Sequence, residues 1–106
     1  MKKFTYKSKY GTYQNCVFVK GKYENGNLAL QIISNEEGPI TTVTINPGQK
    51  IPSSYIAIKN YSENEGMVEF LQSLGIIGTN IICIIPSGYV EIPVFEFNEI
   101  ILEKYL

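Results

Sequence analysis

The sequence predicts an α+β domain: a curved antiparallel sheet or partial barrel of about six strands, one main helix over residues 62–75 packed on it, and a short helix at the C-terminal end. Three observations predict it. Short apolar runs, alternating or β-branched, are separated by Gly, Pro and Asn punctuation. One stretch has helical spacing, with Met67, Phe70, Leu71 and Leu74 on a single stripe. No helix-length segment separates the early strands, so the crossovers that parallel pairing needs are missing. A chain of 106 residues suits a single domain, 1–106, with one modest core.

Residues 2–10 alternate, with Lys3, Lys7 and Lys9 on one parity and Phe4, Tyr6 and Tyr10 on the other. A strand would send the ammonium groups to one face and the rings to the opposite face. Gly11 breaks it, and Tyr13 to Lys20 reads as the next strand. Asn25-Gly26 within the 21–27 turn is a strong hairpin signal, since both residues tolerate positive φ. Leu28 to Ser34 reads as a central strand, and Ile40 to Ile45 is β-branched throughout. Pro47, Gly48 and Pro52 make 46–54 a loop before the short strand Tyr55 to Lys59.

The helix follows. Ser62 with Glu65 fits a capping box, Glu63 and Glu65 suit the positive end of the helix dipole, and Gly75 suits its close. Thr79 to Ile85 is an apolar run expected to be a strand buried on both faces. Pro86-Ser87-Gly88 turns the chain into the last strand, Tyr89 to Phe97, where Pro93 demands an edge or a bulge. Asn98 and Glu99 then begin the C-terminal helix.

Absences narrow the chemistry. The chain has no His, Asp, Arg or Trp, so every acid is Glu and every base is Lys. The Ser-His-Asp and Cys-His arrangements cannot be built from it. Paired glutamates remain formally able to act as acid and base, at Glu36/Glu37, Glu63/Glu65 or Glu91/Glu96. A solvated turn, a helix cap and two opposite faces of one strand are the simpler readings of those pairs. Cys16 and Cys83 have no metal-ligand spacing and lie in apolar runs, where buried inert thiols are expected. Gly75-Ile76-Ile77-Gly78 lacks the lysine and spacing of a phosphate-cradling loop. The expectation is a non-enzyme with no cofactor and no metal. The longest apolar run, Ile81 to Ile85, is far short of a membrane span, and no apolar signal core follows Lys2 and Lys3. A cytoplasmic protein is therefore expected.

Charge is unevenly placed. Residues 1–23 hold six Lys and no acid, whereas residues 24–106 hold three Lys and all ten Glu. A basic strand interleaved with Phe4, Tyr6, Tyr10 and Tyr13 has the mixture that binds nucleic acid, lysines for phosphates and rings for bases. The absence of Arg and the acidity of the remainder weigh against it. The same lysines have an alternative partner in Glu91 and Glu96 of the last strand. The candidate binding surface is instead Tyr61, Glu63, Asn64, Glu65 and Glu69, an aromatic ringed by carboxylates and an amide. An acidic surface of this kind can occupy a basic groove on a protein partner. Two further readings are a small-ligand domain, sequestering or hydrolysing nucleotides in a cleft at the sheet–helix junction, and a homodimer joined through an edge strand near Tyr89–Phe97.

Several segments carry a resemblance. Asn25-Gly26-Asn27-Leu28, Glu37-Gly38-Pro39 leading into Thr42-Val43-Thr44-Ile45-Asn46, the Tyr55–Lys59 strand before a helix, and Ser87-Gly88-Tyr89 leading to Pro93-Val94-Phe95-Glu96-Phe97-Asn98 are involved. Together they resemble a family of small domains of unknown function carried on conjugative elements and phages of gut-type bacteria. The resemblance spans about residues 10–105 and rests on turn and strand punctuation, so it carries over no catalytic residue. It implies a setting, that of mobile-element proteins that antagonise host defence, including CRISPR effectors, by binding them.

Overall fold

The computed structural model describes residues 2–106. Seven strands and two short helices follow in the order β1 (Phe4–Ser8), β2 (Gly11–Lys22), β3 (Leu28–Ser34), β4 (Gly38–Thr42), β5 (Tyr55–Ala57), α1 (Met67–Ser73), β6 (Cys83–Ser87), β7 (Val90–Glu96) and α2 (Glu99–Glu103). The fold is α+β and antiparallel throughout, with seven strands in place of about six. The strands form two sheets, β1-β2-β3-β4 and β5-β7-β6, and neither closes into a barrel. The chain just after β4 stitches them together. Thr44 bridges Ile58, Ile45 donates to the Ala57 carbonyl (3.1 Å) and Lys59 donates to the Val43 carbonyl (2.8 Å).

The first sheet matches its sequence signals. Phe4 and Tyr6 turn inward from β1, and Cys16 and Phe18 do so from β2. The hairpin at Asn25-Gly26 sets a register in which Lys22 faces Leu28 and Phe18 faces Ile32. The helices then cover the inner face. Met67 and Leu71 of α1 are fully buried, as is Leu102 of α2, and Phe4 lies within ring-packing distance of Phe18 (4.6 Å), Phe70 (5.6 Å) and Tyr105 (5.7 Å). As the sequence predicts, Asn98 caps α2, its side-chain oxygen accepting from the Ile101 amide at 3.1 Å.

The main helix starts later than its sequence pattern predicts. Ser62–Asn64 is one 3-10 turn, and α1 proper begins at Met67. No capping box forms: Ser62 sits at φ 58°, and Glu65 donates its amide to the Ser62 carbonyl. Gly66, at φ 93°, supplies the left-handed residue that re-aims the chain into the helix. The first-turn amide of Val68 is satisfied from outside by the Asn60 side chain at 2.9 Å. The cause lies at Asn64. Its side chain is fully buried, accepts from the Thr41 hydroxyl (2.6 Å) and donates to the Thr42 carbonyl (2.7 Å), so tertiary bonds to β4 override the local helix signal. Glu63 and Glu65 thus precede α1, and Glu69 is the acid of its first turn.

The second sheet departs further. β7 is its central strand, flanked by β5 and β6, so the Tyr89–Phe97 region offers no edge for a dimer. Pro93 is accommodated because the β5 ladder ends beside it: Ile58 donates to the Pro93 carbonyl (3.0 Å), no N–H exists to return the bond, and β5 stops at Ala57. The edge is β6. Thr79–Ile82 precede it as irregular backbone, and Ile81, Ile82, Cys83 and Ile84 are all exposed, so this run is not a doubly buried strand. The expected pairing of β1 lysines with Glu91 and Glu96 does not occur, because β1 pairs only with β2 in the other sheet. Lys9 lies 3.6 Å from Glu65, and Lys20 lies 3.0 Å from Glu99. No helix among the described residues is long and apolar enough to cross a membrane.

Candidate functional site

The surface built on residues 61–69 is held in place by its own ion pairs. Lys59 connects it, lying over the Tyr61 ring at 5.5 Å and donating to the Glu63 carboxylate at 2.5 Å. That bond, with help from the Ser62 hydroxyl and local amides, lowers the Glu63 carboxyl to about 2. Glu65 faces Lys9, and Glu69 is exposed with no ion-pair partner among the described residues. Asn64 points inward and cannot meet a partner. Four of the five residues therefore share one exposed or half-exposed region, but three carboxylates stand against two ammonium groups, which leaves little net negative field.

The basic first strand leaves Lys3 and Lys7 exposed and without an ion pair among the described residues, but most of its rings are not free. The Phe4 and Tyr6 rings are core residues and unavailable for stacking on bases. Burial beside the Tyr13 and Glu63 oxygens raises the Tyr6 hydroxyl. Lys2 lies over the Tyr105 ring, and Lys9 and Lys20 face glutamates. Only Tyr10 presents an exposed ring, with Lys9 above it at 5.6 Å.

The paired-glutamate candidates do not converge. Glu36 accepts from Asn15 at 2.7 Å in an exposed turn, and Glu91 and Glu96 project from opposite faces of β7. Among the described residues no group of three or more Cys or Glu side chains is placed to hold a metal.

The surface that composition alone misreads is the one around β6. Ile81 and Ile82 are 45% exposed, Ile84 is 50% exposed, and Tyr89 at the following turn is fully exposed. Cys83, between them, is exposed as well, whereas Cys16 is buried and its thiol is pushed up by desolvation. From Ile81 to Val90 the chain carries no charge. The backbone of this edge is partly blunted. Pro93 turns its polar backbone toward β5, so Ile84 opposite it turns its N–H and carbonyl outward to the free edge. Two residues on, Pro86 occupies the next outward position and has no N–H to offer. A strand added here would find one complete donor–acceptor residue, so recognition must rest on side chains. Pro86, just after the apolar run, was the available sequence signal, since a proline has no N–H to give a further strand.

Comparison with family models, with curated proteins and with solved structures finds no match to this chain.

Proposed function

We propose that this protein is a non-enzymatic binding module that captures a protein partner through the β6 edge and the Tyr89 turn. The carrying observation is the exposure of Ile81, Ile82, Cys83, Ile84 and Tyr89 along an edge strand and its turn, on a stretch without charge. Scattered apolar residues are normal at a surface, but a run of exposed apolar side chains along one edge, free of charge and ending in an aromatic, is characteristic of an interface. The partner that fits presents an apolar, uncharged face, because a charge buried against these isoleucines would go unpaired. The resemblance to mobile-element domains favours a host defence effector of the CRISPR type as that partner.

Ile84→Lys tests the reading, since it places an ammonium in the middle of the patch without touching the core. Wild-type protein used as bait against defence effector complexes retains its partner, and Ile84→Lys releases it at unchanged Tm. Light scattering on both proteins separates this from self-association: a wild-type dimer that Ile84→Lys converts to monomer identifies a second copy as the partner. Equal retention by the two proteins, with both monomeric, removes the β6 surface.

A further inference from the structure

A second site lies on the opposite sign of charge, where the two sheets meet. The end of β2, the hairpin to β3 and the loop before β5 enclose a cleft of about 310 Å³. Three lysines line it: Lys20 and Lys22 from β2, and Lys50 from the loop. They are distant in sequence, and the fold alone brings them together. Lys50 lies against the hairpin, so close that a Cβ on Gly26 would stand 2.4 Å from its Nζ. The loop is anchored beneath by Asn27, which is buried, donates to the Asn46 side chain (3.2 Å) and the Gln49 carbonyl (2.8 Å), and accepts from the Ile51 amide (3.0 Å). The backbone on both sides of Lys50 is therefore anchored, at Gln49 and Ile51, and its exposed side chain is presented at the mouth of the cleft.

The charges decide the ligand. Lys20 is paired with Glu99 at 3.0 Å, while Lys22 and Lys50 form no ion pair among the described residues. Two ammonium groups without counter-charge match a dianion better than a single carboxylate. A phosphate monoester carries about −1.5 to −2 at pH 7 and offers three acceptor oxygens. Leu28, Ile51, Pro52 and Phe97 give much of the remaining wall an apolar character, and Ser53 and the Lys20-paired carboxylate of Glu99 complete it. A cleft with a few charged groups on one side and apolar side chains on the other suits an amphiphilic ligand of small-molecule size. We infer that this cleft binds a phosphate monoester with a compact apolar or aromatic body, the phosphate between Lys22 and Lys50 and the body over Leu28, Ile51 and Pro52.

Thermal shift and calorimetric titration with AMP and phenyl phosphate test the inference, since a ligand bound only by the native state raises Tm. At least one monoester is expected to raise Tm and to bind more tightly than inorganic phosphate or adenosine, each of which supplies half of the recognition. The double variant Lys22→Glu/Lys50→Glu, at two exposed positions, should keep the wild-type Tm without ligand and bind at least about tenfold more weakly. Ile84→Lys should bind the monoester as wild type does, which separates this site from the β6 surface. Absence of a shift with both monoesters, a response to inorganic phosphate equal to theirs, or an equal shift in the double variant overturns it.

Discussion

β3 and β6 are both isoleucine-rich, and their fates differ. β3 lies between β2 and β4, and Leu30, Ile32 and Ser34 on its inner face are essentially inaccessible. β6 has β7 on one side and nothing on the other, and Ile82, Cys83 and Ile84 stand in solvent. The intrinsic attraction of these side chains to a dry environment is the same in both places. What differs is whether the fold packs a layer over them: Leu30 and Ile32 lie in the main core, whereas Ile84 is left half exposed.

The sharpest way to break this comparison is to truncate both strands. Ile32→Ala removes fully buried methyl groups from the main core and should cost about 2–5 kcal/mol in urea denaturation. Ile84→Ala, half exposed, should stay within about 1 kcal/mol of wild type. Comparable losses at the two positions would show that β6 is covered in solution and that the contrast is wrong.

The polar interior offers the next largest effect. Asn64→Ala leaves the Thr41 hydroxyl and the Thr42 carbonyl without their partner and frees the segment that leads into α1. A loss of about 1–3 kcal/mol is expected from the unsatisfied groups. Glu65→Ala, at an exposed carboxylate 3.6 Å from its lysine, should change stability by less than about 1 kcal/mol. Equal effects from these neighbours would mean that Asn64 is not the clamp its hydrogen bonds imply.

How much of this was legible follows the same division. Strands β1 to β4 could be read because each carries its own evidence: alternation in Phe4 and Tyr6, β-branching in Ile40 to Ile45, and a hairpin at Asn25-Gly26. The C-terminal helix was legible because Asn98 acts on its own next turn. The start of α1 was misread because Ser62 and Glu65 form a local signal, while Asn64 answers to Thr41 and Thr42 more than twenty residues away. The β6 surface was misread because nothing in Ile-Ile-Cys-Ile-Ile states how many strands flank it, apart from Pro86 just beyond. The lysine cleft had no local signature, since Lys50 meets Lys22 only through the loop held by Asn27. Of the surface proposed from residues 61–69, the exposed members were legible, but their lysine partners Lys9 and Lys59 were not.

The two cysteines sharpen the contrast at smaller energetic scale. Cys16 is inaccessible on β2, and burial raises its thiol, so it should resist modification in the folded protein. Cys83 on β6 is exposed and should react with a disulfide reagent such as DTNB at once. One thiol per native chain is expected, rising to two in denaturant. A bulky adduct on Cys83 should also block partner capture while leaving Tm nearly unchanged. Two fast native thiols would contradict the burial of β2, and none would contradict the exposure of β6.

The smallest effect belongs to Glu63, beside Asn64 but turned outward. Its carboxyl lies at about 2 against an ordinary 4.5, chiefly through the hydrogen bond from Lys59. Because the folded value is the lower one, the pair contributes stability above pH 4.5, and that contribution is lost as pH falls from 4.5 toward 2. Both side chains touch solvent, so the contribution is screened and salt should reduce it. Glu63→Gln should therefore be slightly less stable than wild type at pH 7, and the gap should narrow steadily as pH falls from 4.5 toward 2. Adding 1 M NaCl at pH 7 should bring them together as well, since the Debye length falls to about 3 Å. A deficit in the Gln variant that persists at low pH and high salt would mean that Glu63 acts through packing and not through charge. It would then belong with Asn64 in the group of residues that hold the fold.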